Sequence, residues 1–131
     1  MIKIFSKLRI IFYFINLFFI ILYIYPGSLL GLILYNDKRI QPQITPDFII
    51  SSNHLYAFVF ISILGFLSFV EVKQKKYLVI YLILLSLILE IFHLIIPERS
   101  FQWSDLFGNL MGVFIVILLK NLINKYGNSK K

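Results

Sequence analysis

Long apolar blocks, separated by short charged or Pro-containing breaks, constrain the fold of this chain more than any other feature. The block from Ile10 to Tyr25 has no charged residue, and three further apolar blocks follow it. Runs of this length are typical of transmembrane α-helices. Hydrophobic residues make up 60% of the 131 positions, compared with roughly 45–50% in soluble domains. We therefore predict an all-α membrane protein that forms a single domain, residues 1–131.

The breaks between the blocks define a bundle of four transmembrane helices. The predicted helices are residues 8–25, 53–70, 77–96 and 104–123. Residues 28–35 are too short to span a membrane. They either extend the first helix past a kink at Pro26 or lie at the membrane interface. The remaining connections are predicted loops at 36–52 and 97–103.

The distribution of Lys and Arg predicts the orientation of the bundle, because cytoplasmic loops are enriched in these residues. With four spans, one side carries Lys3, Lys7, Arg9, Lys73, Lys75, Lys76, Lys120, Lys125, Lys130 and Lys131. The opposite side carries only Lys38, Arg39 and Arg99. We expect both termini to be cytoplasmic and both long loops to face outward. The net charge of +7 thus indicates anionic lipid headgroups as partners and not nucleic acid.

Ionisable and amide residues are concentrated between Glu90 and Gly112, where the third predicted helix ends and the fourth begins. A charge at the centre of a membrane helix costs about 2.5–3.5 kcal/mol, so such residues usually have a function or a buried partner. The predicted topology places them in the outer half of the bundle, together with the start of the second helix. The candidate ligand-binding residues are His54, Glu90, His93, Arg99, Asp105 and Asn109.

Several chemical interpretations of this cluster remain open. Glu90 and His93 are three residues apart on one helix face and could act as an acid–base pair. Together with His54 and Asp105 they form a two-histidine, two-carboxylate set that zinc or iron could use. The structural alternative is that these side chains only neutralise one another inside the bundle. The spacing alone is a weak metal signal, and we expect neither a metal nor another cofactor.

The order of the polar residues resembles that of the VanZ-like family. The matching positions are His54, Glu90-x-x-His93, Pro97-x-Arg99, Asp105, Asn109 and Gly112. The chain departs from the family pattern where His93 replaces a Gln and where Ser51-Ser52-Asn53 replaces an Asp-Lys lead-in. Phe58 also stands where a Tyr is common.

The resemblance implies a small multi-pass protein of the bacterial cell membrane, in a family whose namesake is linked to teicoplanin resistance. We expect a polar pocket at the outer leaflet that binds a cell-envelope lipid, a lipid-linked cell-wall precursor or a glycopeptide. An effect on glycopeptide susceptibility is a further expectation. The alternative is a membrane enzyme that uses Glu90 and His93 on a lipid-linked anionic substrate, and we favour binding over catalysis. The sequence does not indicate a homo-oligomer.

Overall fold

A computed structural model describes the backbone from Ile2 to Asn128 and the side chains of residues 7–127. Within this part of the chain every regular element is a helix, and there is no strand. The helices are α1 (Ile2–Ile24), α2 (Leu29–Tyr35), α3 (Ser52–Ser68), α4 (Val72–Phe92) and α5 (Trp103–Asn128). The basic residues Lys3, Lys130 and Lys131, which the predicted orientation uses, lie outside the described side chains.

The segment 28–35 forms a helix of its own and does not continue α1. α1 ends at Ile24, before Pro26 and Gly27. Gly27 has a φ of +76°, a conformation that glycine adopts without steric cost. Ser28 then begins α2 by accepting a 2.9 Å hydrogen bond from the amide of Gly31, as N-cap residues do. The chain therefore bends sharply between the two helices.

The third predicted helix differs most from the structure. We predicted residues 77–96, whereas α4 runs from Val72 to Phe92. Lysine is a good helix former, so the charged segment before Tyr77 is helical and is not a turn. At the other end, Pro97 disfavours helical geometry in the preceding residue. Residues 93–95 accordingly form tight turns, with amides bonded to carbonyls three residues earlier.

The other helices differ mainly at one end: α1 begins at Ile2 and ends at Ile24, against a prediction of 8–25. α3 covers Ser52–Ser68 against a prediction of 53–70, and α5 covers Trp103–Asn128 against 104–123. The two loops that we predicted at 36–52 and 97–103 therefore cover residues 36–51 and 93–102. α5 extends further than predicted because the segment before its basic end contains no Pro and continues the helical pattern.

α3 lies at the centre of the fold and packs against α1, α4 and α5, most extensively against α5. Its buried face contains residues at helical spacing, including Phe58, Ile61 and Ser68, each with no exposed surface. Side chains from the surrounding helices complete the core. They are Phe12, Phe19 and Tyr23 of α1, Leu78, Leu82, Leu85 and Leu89 of α4, and Val113 of α5.

The outward faces of the helices are as apolar as the core. Phe14 is 71% exposed, Ile33 67% and Leu118 61%. Two helical segments, Lys7–Ile24 and Trp103–Gly127, are long and apolar enough to cross a membrane, and only 11% and 33% of their residues are buried. Their apolar character is therefore not explained by burial inside the protein. α3 is similarly apolar but shorter.

Side-chain contacts define two ends of the helix bundle. At the first, which we call the basic end, Arg9 donates hydrogen bonds of 3.3 Å to the Ser68 carbonyl and 3.0 Å to Gln74 Oε1. Lys120 also lies there, 4.6 Å from the centre of the Phe66 ring. The opposite end, where α1 terminates and α5 begins, contains the candidate site; we call it the polar end.

Candidate functional site

Three helices, and the residue that follows one of them, contribute the candidate side chains to one cluster at the polar end. α3 contributes His54 at its first turn, α4 contributes Glu90, and α5 contributes Asp105 and Asn109. His93 follows directly after the last residue of α4. The structure thus brings five of the six candidate ligand-binding residues together, and the sixth, Arg99, lies in the connection between α4 and α5.

His54 is oriented by Asn109. Nδ1 of His54 lies 3.0 Å from Oδ1 of Asn109, and the amide Nδ2 of Asn109 faces the Ser86 carbonyl at 3.5 Å. A carbonyl can only accept, so Oδ1 is the atom that faces the imidazole, and Nδ1 carries the proton that it accepts. The other nitrogen, Nε2, lies 3.4 Å from Oδ2 of Asp105. The lone pair of neutral His54 is therefore directed at Asp105.

His93 is held in the same way as His54, but the roles of Nδ1 and Nε2 are exchanged. Nε2 lies 3.1 Å from the carbonyl oxygen of Tyr23, so Nε2 carries a proton. Nδ1 lies 3.3 Å from Oε2 of Glu90, and both side chains are almost completely buried. Each imidazole thus has one nitrogen bonded to a fixed acceptor and the other directed at a carboxylate.

Glu90 is completely buried, and its two oxygens differ. Oε1 accepts a 2.9 Å hydrogen bond from the backbone amide of Gln102. Oε2 makes no hydrogen bond within the described residues and faces His93. A buried carboxylate oxygen without a donor is unfavourable, so this atom requires a proton shared with His93 or a bound cation.

Tyr23 joins α1 to the cluster and was not among the residues selected from the sequence. Its hydroxyl donates a 3.0 Å hydrogen bond to Oδ1 of Asn109, and its ring stacks on His93 with 6.2 Å between centroids. The sequence did contain a signal: Phe12, Asn16, Phe19 and Tyr23 follow one another at helical spacing. Asn16 is hydrogen-bonded to Tyr81 of α4, so this face of α1 is directed inward.

Among the described residues, Arg99 contacts backbone carbonyls and not a carboxylate. Its Nε and Nη2 donate hydrogen bonds of 3.3 and 3.2 Å to the carbonyls of Tyr25 and Leu22. These carbonyls lie at the end of α1, where a cation is favoured by the helix dipole. Arg99 is half-buried, and it belongs to none of the ion pairs formed by the described residues.

A polar cavity of about 410 Å³ opens at this end of the bundle. His54, His93 and Asp105 line its inner part, and Arg99 lines its side. Glu90 and Asn109 are buried behind these residues. The outer lining comes from the two connections. It includes Lys38, Arg39, Gln41, Gln43, Asp47, Glu98 and Gln102.

Two ion pairs occupy the outer lining of the cavity. Lys38 Nζ lies 2.8 Å from Glu98 Oε1, and the hydrogen bond to Glu98 raises the pKa of Lys38 above its usual value. Arg39 donates hydrogen bonds to Asp37 from Nε, Nη2 and its backbone amide, which lowers the pKa of Asp37 to about 2. Both loop cations therefore already have a carboxylate partner, whereas Arg99 has none among the described residues.

An apolar groove of about 540 Å³ adjoins the polar cavity. Arg99, His54 and Gln43 line both spaces. The remaining groove lining is mainly apolar and comes from α1, α2, α3 and the loop between α2 and α3. It includes Phe18, Phe19, Leu22, Leu29, Leu30, Pro42, Ile44, Ala57 and Phe60. A further cavity of about 340 Å³, near Phe12 and Gln74, lies away from this site.

His54, Glu90 and Asp105 could together hold a metal ion. Each offers one ligand atom, and these atoms all lie within 4.8 Å of one another. The same side chains could also exchange protons, since each imidazole faces a carboxylate. Comparisons with models of protein families, with curated protein sequences and with solved structures gave no match. The functional interpretation therefore depends on the residues and their geometry.

Proposed function

We propose that the chain is a VanZ-like, multi-pass protein of the bacterial cell membrane that binds an anionic lipid at its polar end. The ligand is a cell-envelope lipid or a lipid-linked cell-wall precursor with a phosphate in its headgroup. The observation that best supports this proposal is the position of Arg99, a half-buried cation without an ion-pair partner among the described residues. It stands where the polar cavity meets the apolar groove.

Arg99 suits a phosphate for a specific reason. A guanidinium carries five N–H donors, and charge-assisted bonds to phosphate are about twice as strong as neutral ones. The two carbonyl contacts of Arg99 use only Nε and Nη2. The helix-end carbonyls hold the guanidinium in place, so little side-chain freedom remains to be lost when a phosphate binds.

The apolar groove supports an acyl or polyprenyl chain on the same ligand. Its lining is mainly apolar, and its polar residues, such as His54, Gln43 and Arg99, also line the adjoining cavity. A lipid has this same division between chain and headgroup. The cavity of about 410 Å³ also falls in the usual range for small-ligand sites, about 300–1,000 Å³. We therefore favour a lipid headgroup over a glycopeptide as the occupant.

We further propose a four-span arrangement with this site at the outer leaflet. α3 has 17 residues, the lower limit of the range of about 17–25 for a membrane span, and α4 has 21, with Lys73, Lys75 and Lys76 at its start. The Lys residues at the start of α4 are at the basic end, where their side chains can extend to the headgroup region. Because Lys and Arg are enriched on the cytoplasmic side, we assign the basic end and both termini to the cytoplasm.

The test is lipid binding by the purified protein in detergent, measured by native mass spectrometry with a chelator present. Two anionic probes, phosphatidylglycerol and a polyprenyl phosphate, are compared with zwitterionic phosphatidylcholine. We expect both anionic lipids to bind more tightly than phosphatidylcholine. Preferential binding of the polyprenyl phosphate identifies the precursor class, and preferential binding of phosphatidylglycerol identifies a bulk envelope lipid.

The variant that tests the role of the cation is Arg99→Gln. Hydrogen bonds to charged groups contribute about 1.5–3 kcal/mol, so we expect anionic-lipid affinity to fall about 10- to 100-fold. Lys73→Gln removes one positive charge at the exposed start of α4 and should leave the affinity unchanged. Equal binding of anionic and zwitterionic lipids, or equal losses in the two variants, would contradict the proposal.

The buried contact between Glu90 and His93, 3.3 Å long, favours the enzymatic alternative as the second candidate. Under the binding proposal the lipid is recovered chemically unchanged after incubation with the protein. Conversion of the polyprenyl phosphate by the wild-type protein, lost in Glu90→Gln and retained in Lys73→Gln, would instead establish catalysis.

A further inference from the structure

The distances between the imidazoles and the carboxylates indicate a second property of the polar end, in addition to lipid binding. Nε2 of His54 lies 3.4 Å from Oδ2 of Asp105, and Nδ1 of His93 lies 3.3 Å from Oε2 of Glu90. Direct charge-assisted N–H···O bonds are shorter, about 2.7–2.9 Å. Neither pair, the first partly buried and the second almost completely buried, has the spacing of a direct charge-assisted bond.

The spacing matches that of two ligands of one metal ion. Zinc binds imidazole nitrogen and carboxylate oxygen at about 2.0–2.1 Å in tetrahedral geometry, which places neighbouring ligand atoms about 3.3–3.4 Å apart. We propose that His54, Asp105 and Glu90 bind a divalent transition-metal ion, best represented by zinc. Their ligand atoms, which lie within 4.8 Å of one another, come together when the ion binds.

The surroundings of His54 are those of a metal ligand. An imidazole that binds a metal usually donates its other N–H to a carbonyl or carboxylate, which fixes the tautomer. Nδ1 of His54 donates to Oδ1 of Asn109, and this leaves Nε2 available next to Asp105. Asn109 is completely buried and is itself held by Tyr23. The ligand nitrogen is therefore positioned before any metal arrives.

Glu90 provides the second observation that points to a cation. Its Oε2 atom is buried and has no hydrogen bond within the described residues, while Oε1 is held by the Gln102 amide. A cation bound at Oε2 would remove the unfavourable burial of that atom. Nδ1 of His93 lies next to the same oxygen but is outside the group of three ligands.

The metal site also has a route of entry. His54, His93 and Asp105 line the polar cavity, so an ion can reach the ligands from outside. An ion at this position would leave one side facing the cavity, next to the site proposed for the lipid headgroup. The metal site nevertheless does not depend on lipid binding, because all of its ligands belong to the protein.

The test is metal analysis of the full chain, purified in detergent with an affinity tag that contains no histidine. After growth with added zinc, we expect an equimolar amount of zinc, removed by a strong chelator with a fall in the melting temperature. His54→Gln and Asp105→Asn should reduce the zinc content to background. Glu71→Gln, which changes an exposed carboxylate at the basic end, should retain it.

A spectroscopic measurement covers the case in which the ligand variants do not fold. X-ray absorption of the zinc-loaded wild-type protein should show nitrogen and oxygen ligands with imidazole scattering. Substoichiometric zinc without a change in melting temperature overturns the proposal, as does zinc retained in both His54→Gln and Asp105→Asn. Arg99→Gln should keep its zinc while losing affinity for anionic lipid. Failure of the metal proposal can therefore be distinguished from failure of the lipid proposal.

Discussion

Oδ1 of Asn109 lies 3.0 Å from Nδ1 of His54, and this hydrogen bond joins the central helix α3 to α5 inside the polar cluster. The same oxygen accepts a 3.0 Å hydrogen bond from Tyr23 of α1. One amide oxygen therefore holds side chains from two other helices. It also determines which nitrogen of His54 faces Asp105. Asn109 therefore contributes both to the packing of the bundle and to the chemistry of the site.

The first prediction concerns the stability contributed by this amide. Asn109→Leu leaves the Tyr23 hydroxyl and Nδ1 of His54 without their acceptor in a buried position. Leaving a buried donor unsatisfied costs about 1–3 kcal/mol. Nδ1 of His54 can still bond the Tyr23 hydroxyl, 3.4 Å away, so we expect the free energy of unfolding to fall by about that amount. Chemical denaturation in detergent, followed by circular dichroism, measures the change.

The control is Asn121→Leu, the same substitution on an exposed part of α5. It removes no buried hydrogen bond and should change the stability by no more than a surface substitution does, about 0.5 kcal/mol. Similar losses in the two variants would show that the Asn109 network does not stabilise the bundle.

The second prediction concerns the contact between α3 and α5. A Cβ at Gly112 would lie 2.7 Å from the Leu55 carbonyl oxygen and 2.8 Å from Cβ of Phe58. Gly112→Ala must therefore move the two helices apart, and overpacking of this kind typically costs about 1–3 kcal/mol. The fall in the free energy of unfolding, measured in the same way, checks this.

Gly127→Ala is the matched control, because a Cβ at Gly127 has no tertiary contact within 4 Å among the described residues. Alanine is the better helix former by about 1 kcal/mol in a helix interior. Near the end of α5 we expect a small gain in stability or no change. A loss at Gly127 equal to that at Gly112 would mean that helix propensity, and not close packing, determines both results.

Helical spacing predicted which residues share a face, because that property is local to each helix. Phe58, Ile61 and Ser68 recur at helical spacing on α3 and form a buried face in the structure. Gly108 and Gly112, four residues apart on α5, both lie against α3. The positions of the apolar blocks also predicted that the polar residues lie near helix ends.

Contacts between elements could not be predicted in the same way. Spacing placed Tyr23 on the face of Asn16, but nothing in the sequence shows that its hydroxyl meets Asn109. Arg99 likewise contacts the end of α1, more than 70 positions earlier in the chain. The two adjoining cavities depend on how the loop from 36 to 51 folds over the helices, which only the tertiary structure reveals.

The third prediction is the titration of Asp37. Its pKa of about 2, against an ordinary value of 3.8, results mainly from the hydrogen bonds donated by Arg39. Because the folded pKa is the lower one, the stabilisation is fully present above about pH 4 and is lost as the pH falls through 2. Carboxyl ¹³C NMR during a pH titration measures the value directly.

Arg39→Gln should raise the pKa of Asp37 most of the way toward 3.8. The backbone amide of residue 39 still donates one hydrogen bond to the carboxylate, so a small depression should remain. Lys73→Gln removes a distant charge and serves as the control. An Asp37 pKa that is equally low in Arg39→Gln would show that the side-chain contact is not its cause.

The last prediction tests the orientation of the bundle and uses the absence of cysteine from the chain. Ile44 in the loop from 36 to 51 is 74% exposed, and Val72 at the start of α4 is 87% exposed. Neither residue is charged, so replacing it with cysteine does not disturb the distribution of Lys and Arg that orients the helices. Each single-cysteine variant reports the side of the membrane on which one end of the bundle lies.

A membrane-impermeant maleimide applied to cells with a permeable outer envelope should label Ile44→Cys and leave Val72→Cys unlabelled. After the cells are lysed, both variants should react, which shows that each cysteine is accessible in the folded protein. The reverse pattern would place the polar end in the cytoplasm, where the proposed lipid site could not meet precursors at the outer leaflet. Labelling of both variants in intact cells would mean that the two ends do not lie on opposite sides of the membrane, and the four-span arrangement would then be wrong.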